Sequence, residues 1–266
     1  MKLTEIITKE FPTLDKNRPL LDALDNLNKL GCESICVDDG GKLLGSLSHR
    51  DVLFRVGAQR LRAVAPESLY ISGFFKEFPA NLSNDTSIRK ASKLLLETSS
   101  AALPMYYGET LLGIVFRRNM LKLMETTSAT ASSVMRKNFP IIRPHDRVIH
   151  ARKLLLENNI AIIPVVSEEG RLLGTVTDRE VLNSLIEFQK YVPEKHQKSR
   201  IRQLAISSAM KVGSPTMDTE TTLQQASAIM TTEAIQAMLV TEGDKVLGTV
   251  SSEDILQYIV GSFPEE

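Results

Sequence analysis

The chain has 266 residues, 42% hydrophobic and 24% charged, a composition typical of a soluble globular protein of about two domains. Its 32 basic and 32 acidic residues cancel, and with 9 Phe, 5 Tyr and no Trp the composition disfavours binding to nucleic acid or to an anionic membrane. No apolar run is long enough to span a bilayer, and the start of the chain lacks the apolar stretch of a signal peptide. We therefore expect a cytoplasmic protein without a membrane span.

One pattern of a proline, an alanine and a glycine occurs four times along the chain. Its members are Pro12, Ala23 and Gly45; Pro79, Ala91 and Gly113; Pro140, Ala151 and Gly174; Pro215, Ala226 and Gly248. The proline-to-glycine spacings are 33, 34, 34 and 33 residues by subtraction. A period this long predicts a small unit of strands and helices repeated in tandem. We expect repeats at 1–64, 65–127, 128–194 and 195–266, which pair because a unit of about 60 residues is marginal alone.

The third copy shows the elements of the unit most clearly. In chain order it predicts a strand at 139–143, a helix at 148–158 and a strand at 161–166. A hairpin turn at 168–171, a strand at 172–176 and a second helix from 178 onwards follow. The unit is therefore strand–helix–strand–strand–helix, a mixed α/β (α+β) fold. Connectors are expected near 61–69, 125–131 and 187–204, the last one basic and solvated.

Two kinds of small residue carry a structural expectation. Glycine lies inside the last strand of every copy, where it normally weakens a strand, so we expect another backbone or a ligand to approach closely there. The four alanines of the pattern are expected to pack the first helix against the sheet. The two cysteines, Cys32 and Cys36, are badly spaced for a relaxed disulfide and are expected to be reduced thiols.

A hydroxyl lies three residues before a carboxylate, just after the glycine strand, in three copies. The pairs are Ser48 and Asp51, Thr177 and Glu180, and Ser251 and Asp254. A capping box explains these pairs without any ligand. A helix start also attracts anions, a hydroxyl can bond a phosphate, and a carboxylate can accept hydrogen bonds from two ribose hydroxyls. Both interpretations stay open, and both roles can coexist.

The pattern Pro…Ala…Gly-x-x-[Ser/Thr]-x-x-Asp, with a PVV-like strand before the hairpin, resembles the cystathionine-beta-synthase (CBS) domain. The third copy, IIPVV–EEGRLLGTVTDRE, matches that motif almost throughout. The resemblance covers practically the whole chain and implies four CBS-type β-α-β-β-α repeats paired into two modules, similar to the gamma subunit of the AMP-activated protein kinase. It also implies clefts that hold a regulatory ligand containing adenosine: AMP, ADP or ATP, with S-adenosylmethionine or NADH as further options.

Carried over to this sequence, the resemblance assigns phosphate and ribose contacts to Ser48 and Asp51 in the first cleft and to Ser251 and Asp254 in the fourth. Thr177 matches in the third cleft, but Glu180 replaces the family's Asp, so we expect weaker ribose binding there. In the second copy Phe116 and Asn119 replace both residues, and we expect that cleft to be empty or repurposed.

Further contacts are expected from basic and apolar neighbours of these turns. Phosphate charge would be neutralised by Arg50, Arg117, Arg118 and Arg179, with His49 beside them. The base would lie in an apolar slot formed by Pro12, Thr13, Ile35 and Cys36 in the first repeat, by Pro140, Ile141, Ile162 and Ile163 in the third, and by Pro215, Thr216, Ala237 and Met238 in the fourth. For each of these, packing in the core is the alternative explanation.

No nucleophile motif, phosphate loop or metal-ligand spacing is found in the sequence, so we expect neither a catalytic site nor a metal site. The leading hypothesis is a non-catalytic sensor of an adenosine ligand that acts on a separate, unidentified protein and forms a homodimer. The alternative is a ligand-free scaffold for oligomerisation or partner binding.

Overall fold

The chain folds into four copies of one unit of strands and helices, so the predicted mixed α/β repeat is confirmed. The computed structural model describes residues 2–56 and 64–264. The first copy consists of β1 (Thr13–Asp15), α1 (Leu20–Leu30), β2 (Ser34–Asp39), β3 (Lys42–Ser48) and α2 (His49–Val56). Strand β1 pairs with β2 in parallel, and β2 with β3 in an antiparallel hairpin.

The other copies repeat this order with local changes. The second copy contains β4 (Lys76–Glu77), β5 (Leu82–Ser83), α3 (Ile88–Glu97), β6 (Ala102–Tyr107), β7 (Thr110–Phe116) and a 3-10 helix (Arg117–Thr126). The third contains α4 (Ala131–Val134), α5 (Val148–Glu157), β8 (Ile162–Val166), β9 (Leu172–Thr177) and α6 (Asp178–Tyr191). The fourth contains α7 (Glu194–Arg200), β10 (Thr216–Met217), α8 (Leu223–Thr232), β11 (Ala237–Glu242), β12 (Lys245–Ser251) and α9 (Ser252–Ser262).

Two expectations for the third copy are corrected. Its first strand is reduced to one bridge between Ile142 and Val165. The prediction of a solvated connector at 187–204 is wrong, because α6 and α7 occupy most of this range. The amide of Gln197 donates to the carbonyl of Val192 over 2.8 Å, and Ile201 is buried, so this segment is packed. Of the connector at 61–69, residues 61–63 lie outside the described residues.

Capping residues determine where the first helix of a copy begins and ends, and one buried alanine lets it pack closely. Ser87 and Thr222 cap α3 and α8 by accepting from a backbone N–H three residues on, at 3.2 Å in each case. The helices end at residues in the left-handed conformation: Gly31, Ser99, Asn159 and Ala234, with φ of 57°, 49°, 46° and 52°. The four alanines are fully buried, as expected for packing: Ala23, Ala91, Ala151 and Ala226.

A short segment before each copy crosses onto the neighbouring copy. We call these the lead-in segments: 2–8, 64–77, 129–136 and 201–212. The first and second copies exchange theirs, and so do the third and fourth. Each lead-in segment pairs with the strand residue that follows the glycine: Thr8 with Ile114, Lys76 with Ser46, Arg136 with Thr249 and Lys211 with Thr175.

This exchange explains the strand glycines. A Cβ built at Gly45 would lie 1.9 Å from the carbonyl oxygen of Lys76, and one at Gly113 would lie 2.6 Å from that of Thr8. A Cβ at Gly174 would lie 2.6 Å from the carbonyl oxygen of Lys211. The close approach predicted at these strands is therefore that of another backbone, and the glycines are needed for packing.

Two large cores join the copies through their helices. Residues of α1 and α2 in the first copy and of α5 and α6 in the third form one core, which also buries Ile71 and Ile206 of the lead-in segments. The second core joins α3 and the 3-10 helix of the second copy to α8 and α9 of the fourth, and it buries Leu3 and Ile6. The copies thus pair first with third and second with fourth through helices.

Smaller apolar contacts join the copies that exchange lead-in segments. Cys36, Ala102 and Ile114 pack the first sheet against the second. Ile162, Ala237 and Leu239 pack the third against the fourth. Sheet contacts therefore hold the two modules, first with second and third with fourth. Across the described ranges, no helix combines the length and apolar character needed to cross a membrane.

Candidate functional site

The predicted hydroxyl and carboxylate pairs lie at helix starts and contact one another. Asp51 Oδ2 accepts hydrogen bonds from the backbone N–H of Ser48 at 2.9 Å and from its hydroxyl at 2.5 Å. Asp254 Oδ2 accepts the same two bonds from Ser251, at 2.8 and 2.6 Å. Each acid therefore closes a capping box with one of its two carboxylate oxygens, which leaves the second oxygen to contact something else. In the fourth copy this second oxygen, Asp254 Oδ1, accepts from Arg136 at 3.1 Å.

The third copy closes the same contact with a longer acid. Glu180 Oε2 accepts from the backbone N–H of Thr177 at 2.9 Å and also from its hydroxyl. Among the described residues, no group donates to Asp51 Oδ1 or to Glu180 Oε1. Two carboxylate oxygens in equivalent places are thus unpartnered.

The second copy keeps the cap without a charge. Asn119 Oδ1 accepts from the backbone N–H of Phe116 at 2.7 Å, and its Nδ2 donates to the hydroxyl of Thr8 at 3.1 Å. The ring of Phe116 is buried between the first two sheets. An amide is therefore sufficient for the capping role, which is useful for separating capping from ligand binding.

One cavity of about 420 Å³ opens between the four copies. It is lined by two of the three hydroxyl and carboxylate pairs, Ser48 with Asp51 and Thr177 with Glu180. Neither Ser251 nor Asp254 lines it. Its volume falls in the range of pockets that hold small molecules, roughly 300–1,000 Å³.

The residues expected to hold the base divide into two groups. Ile162, Pro215 and Ala237 line the cavity, and Ile162 and Ala237 also belong to the contact between the third and fourth sheets. The others do not line it: Pro12, Thr13, Ile35, Cys36, Pro140, Ile141, Ile163, Thr216 and Met238. Ile35, Cys36, Ile163 and Met238 are fully buried in the cores, and Ile141 is exposed.

Two of the expected phosphate-binding arginines already contact carboxylates. Arg50 Nε donates to Asp178 Oδ2 at 2.8 Å, which joins the first repeat to the third. Arg117 donates to Glu253 at 2.7 Å, which joins the second repeat to the fourth. Burial raises the pKa of Asp178, against the attraction of Arg50. Its Oδ1 is buried with no hydrogen-bond partner in the described structure.

The remaining basic residues surround the cavity with fewer carboxylate contacts. Arg118 is exposed, and Arg179 donates to Asn28 Oδ1 at 3.0 Å. His49 Nε2 lies 3.1 Å from that same oxygen. Burial, helped by the charge of Arg179, lowers the pKa of His49 to about 4, so the ring is neutral near pH 7.

Burial also shifts the pKa values of the two cysteine thiols, in the direction that makes them unreactive. Both are free, and burial raises the pKa of Cys36 to about 12 and also raises that of Cys32. A thiol with a raised pKa holds little thiolate at neutral pH.

Sequence reasoning missed three cavity-lining cations, Arg55, Lys76 and Lys211. The two lysines belong to lead-in segments, which bring them from one repeat onto the glycine strand of its neighbour. A signal was present, because a basic residue or threonine stands three or four positions before the proline of every copy: Thr8, Lys76, Arg136 and Lys211. The position of this residue has a meaning only in the fold, where the lead-in segments are exchanged.

Tandem units whose exchanged segments and helix starts surround a shared cavity define a class of tandem-repeat protein. The model of the CBS domain matches residues 3–58, 131–187 and 206–261 of this chain. These segments cover more than half of the sequence, and the chain belongs to the CBS domain family.

Relatives and solved structures agree with this assignment. The chain is 24% identical to an uncharacterized protein of Methanocaldococcus jannaschii over 96% of its own length, and spans 61% of that protein. It is 25% identical to an uncharacterized protein of Thermofilum pendens, covering 96% of this chain and 91% of that one. A crystal structure from M. jannaschii, described as that of a proposed archaeal homologue of g-AMPK, superposes with a TM-score of 0.78 at 19% identity, covering 97% and 100% of the two chains. A crystal structure of a Pyrococcus horikoshii protein superposes with a TM-score of 0.63 at 17% identity, covering 98% of this chain and 100% of that one. These structural likenesses show the fold.

Proposed function

We propose that this protein is a non-catalytic regulator that binds an adenosine-containing ligand in the cavity shared by its four repeats. The observation that carries the proposal is the pair of unpartnered carboxylate oxygens, on Asp51 and Glu180, at helix starts that line one cavity. A capping role uses only one oxygen of each acid, whereas two ribose hydroxyls need an acceptor such as the other.

The surroundings of these acids suit the other parts of a nucleotide. Lys76 and Lys211 line the same cavity and bring positive charge for phosphate groups. Arg118 and Arg179 add to this charge, and the free N–H groups of the two helix starts favour an anion. The apolar side chains of Ile162, Pro215 and Ala237 offer a surface for the base, because they are the members of the predicted slot that line the cavity.

The balance of charge favours a phosphate-bearing ligand within the adenosine class. AMP, ADP and ATP fit this requirement, and NADH shares it through its pyrophosphate. S-adenosylmethionine carries a sulfonium cation and would meet Lys76 and Lys211 unfavourably. The relative affinities of AMP, ADP and ATP depend on how many phosphate groups reach the two lysines, since Arg50 and Arg117 are already paired with carboxylates.

The regulatory part of the proposal follows from family membership and from the lack of a catalytic motif in the sequence. A ligand bound between four repeats biases their relative positions, and a separate cytoplasmic protein would read that change. A homodimer is part of the same proposal. Sedimentation analysis with and without AMP tests it, since a ligand that acts through association changes the fraction of dimer.

The experiment that tests ligand binding is a calorimetric titration of the full-length, nucleotide-stripped protein with AMP, ADP, ATP, NADH and S-adenosylmethionine. A ligand at about 100 times its dissociation constant stabilises a fold by roughly 2.7 kcal/mol, so a thermal shift gives an independent measurement. Binding of at least one phosphate-bearing member supports the proposal. Heat and melting temperature unchanged by all five at millimolar concentration would refute it.

A ligand-free scaffold is the second candidate, and one observation favours it. All four helix starts are capped in the same way, including the one with Asn119, so these residues have a structural role that needs no ligand. The same titration separates the two functions. A scaffold binds none of the five ligands and still self-associates or binds a partner.

A further inference from the structure

The fourth repeat differs from the first and third in what contacts its acid. Asp254 uses Oδ2 for the capping box, like Asp51. Its second oxygen, Oδ1, accepts a hydrogen bond from the Arg136 guanidinium at 3.1 Å. Both oxygens of Asp254 are therefore occupied by the protein itself, and its side chain is only 12% exposed.

Arg136 reaches Asp254 from a definite position in the repeat. It pairs with Thr249, the residue after Gly248, as Lys76 pairs with the residue after Gly45. Lys211 and Thr8 occupy the same place in the other two exchanges. The four residues are thus structurally equivalent. Each lies in a lead-in segment that pairs with the glycine strand of the other repeat in the same module.

The charge of this residue matches the charge of the capping side chain in the repeat that it pairs with. Lysine accompanies Asp51 and Glu180, arginine accompanies Asp254, and neutral threonine accompanies neutral Asn119. Only the arginine forms an ion pair with its acid among the described residues. Within the proposed recognition of ribose, an arginine therefore competes for the same carboxylate oxygen, and a lysine in this structure leaves it unoccupied.

A second contact holds the arginine in this place. Arg136 Nη1 donates to the backbone carbonyl of Asn159 at 3.2 Å. The side chain of Asn159 in turn donates to Glu253 at 3.2 Å. The guanidinium is fixed between the third repeat and the fourth, so its pairing with Asp254 is supported from both sides.

We propose that Arg136 is an internal occupant of the fourth cleft, and that the residue at this lead-in position determines which clefts accept a ribose. The inference rests on the proposed function, because it assumes that the free acids elsewhere bind ribose hydroxyls. The first and third clefts are open, with Lys76 and Lys211. The fourth is closed by its own arginine and opens when this ion pair is broken.

The test counts AMP molecules bound per chain by equilibrium dialysis, for the full-length protein and for Arg136→Thr, which copies Thr8. We expect the variant to bind one more AMP per chain than the natural protein. Adding Asp254→Asn should keep the cap, as Asn119 does, and weaken the added site by roughly 10- to 150-fold, the effect of losing hydrogen bonds to a charged acceptor. If Arg136→Thr does not fold, Arg136→Lys replaces it, since lysine is accommodated at this position in two folded repeats.

The outcomes separate this inference from the proposed function. If the natural protein binds AMP and neither Arg136 variant binds more, the inference fails and the proposed function stands. Weaker total binding by the variants also overturns it, because Arg136 would then be a ligand contact. If neither the natural protein nor the variants bind any AMP, the inference fails. The proposed function fails with it only if ADP, ATP, NADH and S-adenosylmethionine do not bind either.

Discussion

Arg50 in the first repeat donates from Nε to Asp178 in the third repeat over 2.8 Å. The arginine precedes Asp51 directly, and the aspartate lies two residues before Glu180. The ion pair therefore connects the two helix starts whose acids line the cavity. A ligand that displaces one of these helix starts changes the distance across this pair and so acts on the other.

Replacing Arg50 by Met should strongly destabilise the fold. The change leaves the buried carboxylate of Asp178 without its cation, at a cost of about 3 kcal/mol, the lower end for buried pairs because the Arg50 side chain is 24% exposed. The double variant Arg50→Met with Asp178→Asn should recover much of this loss. Urea unfolding of the two single variants and the double variant gives the coupling energy. Losses that simply add would show that the pair does not act as a unit.

Asp51→Asn should weaken AMP binding without weakening the fold. The amide keeps the cap, as Asn119 does in the second repeat, but it removes the free carboxylate oxygen. We expect roughly 10- to 150-fold lower affinity, and the free energy of unfolding should stay within about 0.5 kcal/mol. Asp51→Ala should lose both affinity and about 1 kcal/mol of capping stability. Asp25→Asn, an exposed acid on α1, is the matched control. Equal affinities of Asp51→Asn and the control would leave capping as the only role of Asp51.

Gly45→Ala should displace the lead-in segment of the second repeat. Its Cβ would lie 1.9 Å from the carbonyl oxygen of Lys76, so we expect a loss of about 1–3 kcal/mol, typical of overpacking. Gly261→Ala in α9 is the control, because no atom lies within 4 Å of its added Cβ and the helix favours alanine by up to about 1 kcal/mol. Thermal unfolding of the two variants should therefore shift in opposite directions. A stability of Gly45→Ala equal to that of the natural protein would contradict the exchange.

His49 should make the fold less stable in acid. Its pKa is about 4 in the folded protein against a usual 6.5, so between these values only the unfolded chain takes up the proton. Stability is thus complete above about pH 6.5 and falls as the pH drops, by on the order of 3 kcal/mol in total. Asp178 and Glu33, whose pKa values burial raises above the usual 3.8 and 4.5, act in the opposite direction as the pH falls towards those values. Comparing urea unfolding of His49→Gln and the natural protein from about pH 7 to about pH 4.5 isolates the histidine. Parallel pH profiles would rule out this role.

The repeat and its elements could be predicted because they depend on local signals. The glycine strand, the hydroxyl with its acid, and the spacing of Leu154 and Leu155 on a helix are all read from neighbouring residues. The partners of these elements were not predictable in the same way. Gly45 indicated a close approach, but nothing near it in the sequence named Lys76, which lies 31 residues further on by subtraction.

The charges of the site show the same limit. Arg50 and Arg117 stand next to the acid positions in the sequence, and proximity suggested that they neutralise phosphate. In the fold they meet Asp178 and Glu253 of other repeats. Adjacency in the sequence was therefore a poor guide to which arginines are free of a carboxylate partner. The halves also share both helical cores, so either half alone would expose a large apolar surface.

The exchanged segments also constrain how this chain is made. The strand β7 of the second repeat is covered by residues 2–8, which leave the ribosome well before β7 does. The strand β3 of the first repeat is covered by β4, which emerges later, and the core of the first repeat is completed only by α5 and α6 of the third. A nascent chain therefore carries exposed apolar helix faces until its third repeat has been synthesised, and such intermediates are prone to aggregation. Folding in the order of synthesis, one repeat after another, is not open to this protein, and a chaperone that shields these faces should raise its yield.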